Sequence, residues 1–190
     1  MMITAQIVKK MEDLAEGKFT YASAREIPPA LIAEIYNSSP IYFGLVGKVI
    51  QTAQNDLDLL NLPSQKAPDP EKKIYILIQQ NDKPVALLNC ILDYPEEGIV
   101  LLGWMMVNGN FVFQGIGRTN YQIFCNAMKE LGMRQIRILI ETQNKEAQTF
   151  WKSVGFRPIP GFAKQGKMYE HMAIEHYLDI DQGGSCIKPD

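Results

Sequence analysis

The sequence predicts an α+β fold, a mixed α/β arrangement of helices around one central sheet. Three observations carry the prediction. Before residue 61 the apolar spacing is helical. Between residues 73 and 107 three strand-length apolar runs follow one another with no helix between them. Beyond residue 107, segments of helical and strand character alternate. Helices, then consecutive strands, then helix–strand–helix–strands describe a domain with one sheet.

The elements follow in order. "MMITAQIVKKMEDLAEGKFT" places Ile3, Ile7, Met11 and Leu14 on one face of an amphipathic helix lying on the domain, and residues 1–18 read as an N-terminal helical extension of a single domain spanning 1–190. "PPALIAEIYNSSP" starts a short helix at a proline pair and stops it at a polar cluster. "VGKVIQTAQNDLDLL" keeps helical spacing through Val46, Val49, Ile50, Ala53, Leu57 and Leu60. The Pro-rich, polar "NLPSQKAPDPEKK" is a loop. "KIYILIQQ" and "PVALLNCILDY" flank "NDK", a hairpin signal. "GIVLLGWMMV" is almost continuously apolar, as a strand buried on both faces must be. Residues 115–132 form a helix with Ile116, Ile123, Phe124, Ala127 and Leu131 on one face. "RQIRILIE" alternates as a strand; "NKEAQTFWKSVG" is a helix capped by Asn144 and stopped by Gly155. "FRPIPGF" and "KMYEHMAIEHYL" are two final strands, and 179–190 a frayed, flexible tail.

Composition narrows the function classes. The 190 residues carry a formal net charge of −2, which offers no electrostatic footprint for nucleic acid. No apolar run approaches the ~18 residues that suggest a membrane helix, so no membrane partner is expected. The acid-containing N-terminus does not read as a secretory signal. Cys90, Cys125 and Cys186 are an odd, scattered set without a C-x-x-C, which argues against a disulfide framework and for a reducing, cytoplasmic location. Cys90 and Cys125 read as small buried apolar residues. His171 and His176 lack companions at metal-site spacing, so no metal is expected.

"FVFQGIGRT", residues 111–119, stands where a strand hands over to a helix. Three phosphate-binding readings compete there with a plain tight turn. A Walker A loop needs a Lys after its last Gly, and Arg118 follows Gly117. A dinucleotide fingerprint needs a third Gly, and Asn120 stands in its place. A helix N-terminus needs only bare backbone: Gly115 and Gly117 remove the Cβ atoms that would keep a phosphate away from the N–H groups.

The segment "NKEAQTFWKSVGF" begins 27 positions after Gly117. Together the two stretches resemble the GNAT superfamily of acyl-CoA-dependent N-acyltransferases over residues 99–157, and the strand order extends the resemblance to most of the chain. "VNGNFVFQGIGRT" resembles the acetyl-CoA pyrophosphate loop, in which Gln114, Gly115, Ile116, Gly117, Arg118 and Thr119 would supply backbone N–H groups. "NKEAQTFWKSVGF" resembles the family's second motif at Asn144, Ala147, Phe150, Gly155 and Phe156, which adds Asn144, Phe150 and Trp151 to the donor site. The resemblance implies a central mixed, mostly antiparallel sheet flanked by helices. It implies splayed fourth and fifth strands, with the pantetheine arm along backbone groups of Met105 and Val107. Two positions depart from the pattern. Val112 stands where the family often has Gln or Arg, and Trp151 where many members carry a Tyr proposed to protonate the departing thiolate.

The implied reaction is transfer of acetyl from acetyl-CoA, as donor substrate, to a primary amine by direct attack. The alternative is a catalytically silent acyl-CoA-binding module acting in sensing or through a protein partner. "IVLLGWMMV" has no carboxylate. The candidates for proton transfer are therefore Asp93, after the third strand, and Glu141, at the end of the fifth. Tyr169 and His171 share one strand face and could replace the missing acid. Glu96 and Glu97 read as a solvated turn. Tyr42, Phe43 and Tyr94 are aromatics expected at the acceptor pocket. A homodimer is compatible with all of this.

Overall fold

The computed structural model describes residues 2–39, 53–164, 173–181 and 186. In chain order it contains α1 (Met2–Ala15), β1 (Thr20–Ser23), α2 (Pro29–Asn37), α3 (Ala53–Leu60), β2 (Lys73–Gln80), β3 (Lys83–Leu92) and β4 (Ile99–Val107). There follow α4 (Ile116–Glu130), β5 (Gln135–Glu141), α5 (Lys145–Ser153), β6 (Arg157–Lys164) and β7 (Ala173–Asp179). The strands form one seven-stranded sheet in the order β1-β2-β3-β4-β5-β7-β6. Every neighbouring pair is antiparallel except β4–β5, the pair joined through helix α4. This is the mixed, mostly antiparallel sheet flanked by helices that the sequence implied.

The sheet carries a core on each face. Ile7 and Met11 of α1, Tyr121 and Phe124 of α4 and Trp151 and Val154 of α5 pack with Ile74, Ile76 and Ile78 of β2 in the larger core. Ile32 and Ile35 of α2 and Leu57 and Leu60 of α3 pack with Tyr75 and Leu77 in the smaller one. Alternate residues of β2 thus enter opposite cores, which is why its sequence is apolar without alternation. The β2–β3 turn is the two-residue hairpin that "NDK" signalled: Asn81 and Asp82 both have positive φ, 50° and 59°.

β1 has no counterpart in the sequence reading; four residues give too short a pattern, and its pairing with β2 is what makes it a strand. Of the helix predicted over 46–60, the part before residue 53 lies outside the described residues.

The reading of the cysteines changes. Cys125 of α4 and Cys186 form a disulfide across 61 positions. Scattered sequence positions concealed this spatial neighbourhood, and the inference of a reducing compartment loses its premise. Cys90 is free and fully buried, and burial pushes its thiol pKa up, so it packs as the small apolar residue expected. At the predicted tail, Ile180 is fully buried and its N–H donates to the Arg134 carbonyl at 2.8 Å, while Cys186 is also buried.

Candidate active site

The site begins at a glycine in β4. Trp104 pairs with Asn89 and Leu102 with Cys90, so Gly103 is one residue too many for β3. This is a β-bulge, and the Asn89 side chain occupies the space where a Cβ of Gly103 would stand. An extra residue reverses the alternation of side chains. Before the bulge, Val100 and Leu102 face the larger core; after it, Met105 and Val107 do, while Trp104 and Met106 face the smaller one.

The same point is where the sheet divides. Pairing between β4 and β5 runs from Ile99–Gln135 to Leu102–Ile138 and stops, although β4 continues to Val107 and β5 to Glu141. Between the diverging ends lies a cavity of about 310 Å³. Met105 and Val107 line it from β4, Glu141 from β5, Gly117 from α4, and Asn144, Phe150 and Trp151 from or beside α5. Its volume is at the lower end for a small-molecule site.

The glycine stretch reaches the cavity at Gly117. Asn108 is fully buried, held by its N–H to the Val85 carbonyl and its Nδ2 to the Pro84 carbonyl, both at 2.8 Å. Its Oδ1 accepts from the Asn110 N–H at 3.0 Å and starts a short 3₁₀ turn. Gly115 then takes a left-handed φ of 77° as the N-cap of α4. The first turn of a helix leaves N–H groups without intrahelical acceptors, and here these belong to Ile116, Gly117 and Arg118. Thr119, expected among the donors, instead gives its N–H to the Gly115 carbonyl at 3.0 Å. Gly117 is close to β4: a Cβ there would lie 3.2 Å from Val107 Cγ2. The exposed Arg118 guanidinium donates to Ser153 Oγ at 2.9 Å, tying the start of α4 to the end of α5.

On the inner side, Asn144 Oδ1 accepts from the Ala147 N–H at 3.0 Å, the predicted N-cap. Asn144 also lines the cavity. Asn144→Ala is therefore expected to destabilise the fold by ~1 kcal/mol and to weaken donor binding; thermal melting and calorimetric titration with acetyl-CoA check the two effects separately. Gln148 Nε2 donates to the carbonyls of Glu141 and Thr142 at 3.1 and 2.8 Å, so α5 anchors the end of β5. Glu141 is buried and its side chain lies on the opposite face of β5 from Ile138 and Ile140. Trp151 is wedged edge-on among Tyr121, Phe150 and Phe156, with ring centroids 4.9–5.4 Å away. Burial pushes the Tyr121 phenol pKa up, so this neighbour stays protonated near neutrality.

The structure separates the other candidates. Asp93 and Tyr94 lie at the closed end of β4, opposite the fork. Asp93 Oδ1 accepts from the Gly98 N–H at 2.8 Å and Oδ2 pairs with Lys72 at 3.1 Å, which is a turn-building role. The Tyr94 ring faces Lys66 Nζ at 5.8 Å. Glu96 pairs with Arg137 at 3.8 Å. Tyr42, Phe43, Tyr169 and His171 lie outside the described residues. Sequence reading missed Trp104, Gly103 and Gln148; a glycine inside an apolar strand was the available signal for the bulge. Among the described residues no three His, Cys, Asp or Glu side chains gather as a metal site, and no helix is long and apolar enough to cross a membrane.

The profile of the acetyltransferase (GNAT) family matches residues 32–156, and the chain belongs to that family. A comparison with curated protein sequences finds no match. Among solved structures, the fold is similar to an acetyltransferase from Thermus thermophilus, at 23% identity and TM-score 0.68 over 85% of this chain and 97% of that one. It is also similar to the ribosomal-protein-S18-alanine N-acetyltransferase from Escherichia coli, at 15% identity and TM-score 0.61 over 90% and 99% of the two chains. An N-acetyltransferase from Staphylococcus aureus gives 15% identity and TM-score 0.65 over 85% and 98%.

Proposed function

We propose that this protein transfers an acetyl group from acetyl-CoA to a primary amine by direct attack within a ternary complex. The observation that carries the reading is the meeting of two features on one cavity: a sheet that divides after Leu102 and a helix N-terminus opened by glycines. The N–H groups of Ile116, Gly117 and Arg118, joined by those of Gln114 and Gly115, receive the pyrophosphate. Charge-assisted hydrogen bonds contribute ~1.5–3 kcal/mol each, and a micromolar ligand needs ~8 kcal/mol. Three or four such bonds supply most of that. The backbone of Met105 and Val107, on the edge of β4 that β5 has left, takes the pantetheine arm as an added strand would, and Asn144, Phe150 and Trp151 close over it.

Glu141 is the base in this reading. A free alkyl ammonium has a pKa of ~10.4, so forming the neutral nucleophile at pH 7 costs ~4–5 kcal/mol. A buried carboxylate at the cavity can accept that proton directly or through a water. Trp151 cannot protonate the leaving thiolate, because its indole N–H does not ionise near neutral pH. Tyr169 is the first substitute and His171 the second. Tyr169→Phe is expected to lower turnover at least ~10-fold with little change in acetyl-CoA affinity. Unchanged turnover in both Tyr169→Phe and His171→Gln would leave the thiolate to depart unassisted or through water.

Trp151 also favours a second reading, a catalytically silent acyl-CoA-binding module. Titration with CoA, acetyl-CoA and inorganic phosphate tests the site: binding of phosphate alone removes the CoA assignment. A free-thiol assay across a panel of amines then separates enzyme from module. Thiol release dependent on an amine supports transfer; tight acetyl-CoA binding with no release from any amine supports the module.

A further inference from the structure

Three large apolar side chains are markedly exposed among the described residues: Leu62, Val112 and Phe113. Two of them are neighbours in the glycine stretch, and Phe113 is 99% exposed. Its backbone φ is +61°, a conformation that L-residues with bulky side chains rarely adopt. The contrast with the other aromatics is sharp: Tyr36, Tyr75, Tyr121 and Phe124 are all fully buried. The loop therefore holds one aromatic ring away from both cores, two positions before Gly115.

Resting on the acetyl-CoA reading above, we infer that Phe113 is the stacking platform for the adenine base of the donor. The pyrophosphate is joined through a ribose to adenine, so fixing the phosphates at the Gly115–Arg118 N–H groups leaves the base close by. Two residues of chain span at most ~7 Å, which keeps the Phe113 ring within the compass of one nucleoside. A base offers an apolar π-face, and an aromatic side chain stacks on it without needing hydrogen-bond partners. Covering the ring this way removes apolar surface that the fold leaves in water. The occupant is the adenine of a bound CoA thioester; a second copy of the chain on the same ring is the competing occupant.

The test compares CoA, 3′,5′-ADP and 4′-phosphopantetheine, the last of which lacks adenosine, by calorimetric titration. Phe113→Asn removes the ring but tolerates the positive φ, and Phe113→Trp keeps a ring. Phe113→Asn is expected to weaken CoA and 3′,5′-ADP about tenfold, within the range that base–aromatic stacking provides, and to leave 4′-phosphopantetheine unchanged. Phe113→Trp is expected to retain wild-type affinity for all three. Equal loss for all three ligands in Phe113→Asn would mean that the residue shapes the loop, and would overturn the inference. So would unchanged CoA affinity, with or without loss of a dimer in sedimentation. Wild-type protein that binds none of the three would remove the donor site itself, and this inference with it.

Discussion

Gly117→Glu is expected to abolish acetyl-CoA binding while the protein stays folded. Gly117 lines the cavity in the first turn of α4, and a Cβ there would sit 3.2 Å from Val107 Cγ2. A shift of a few tenths of an ångström accommodates the Cβ. Replacing Gly within a helix improves propensity by up to ~1 kcal/mol, and an acid in the first turn suits the helix dipole. The fold therefore loses little. The ligand loses much: the new carboxylate competes for the N–H groups and repels the phosphates. Displacing two charge-assisted hydrogen bonds removes at least ~3 kcal/mol, a loss of ~100-fold or more. Calorimetric titration together with circular dichroism measures both halves. Gly117→Ala, with the Cβ but no charge, is expected to bind within about tenfold of wild type. A Gly117→Glu protein that binds acetyl-CoA normally would sink the loop assignment.

Glu141→Gln is expected to cut turnover by ~10²–10⁴, the range of general acid–base catalysis, with acetyl-CoA affinity unchanged. The substitution keeps the shape of the side chain and removes only its ability to take a proton. Its pH dependence carries the diagnosis. As pH rises toward the amine's own pKa of ~10.4, solvent deprotonates the acceptor and the gap between variant and wild type should narrow. A uniform loss at every pH would point to a packing role beside Gln148, whose amide holds the Glu141 carbonyl. An unchanged turnover number would move the base elsewhere.

Different parts of the site were legible to different degrees. Gly115, Gly117 and Asn144 could be read directly, because a left-handed cap, a close backbone approach and an N-cap are local requirements met by few residue types. Thr119 was misjudged by one position, because helix hydrogen bonding begins wherever the cap falls. Asp93 had the right chemistry at the wrong end of the sheet. Its place after a strand says nothing of which end of its neighbours diverges, and the turn's Gly98 N–H and the Lys72 ammonium engage its two carboxylate oxygens. The cysteines failed for a related reason, since Cys125 and Cys186 meet only after α4 and the end of the chain have packed.

The sequence by itself determined the class of fold and the two motifs, since periodicity, capping and glycine placement act over a few residues. It pointed to β4 as a strand covered on both faces, because a strand without alternation must be covered on both sides. Only the tertiary structure decided where the cleft lies. The fork after Leu102 depends on how far β5 can follow β4, and the facing of Met105 and Val107 depends on one extra residue at Gly103 opposite Asn89. The same holds for Glu141, which enters the cavity because α5, capped by Asn144 and bonded through Gln148, fixes the end of β5. These are consequences of pairing register between distant segments, and a one-residue change of register exchanges the faces of a strand without altering its composition.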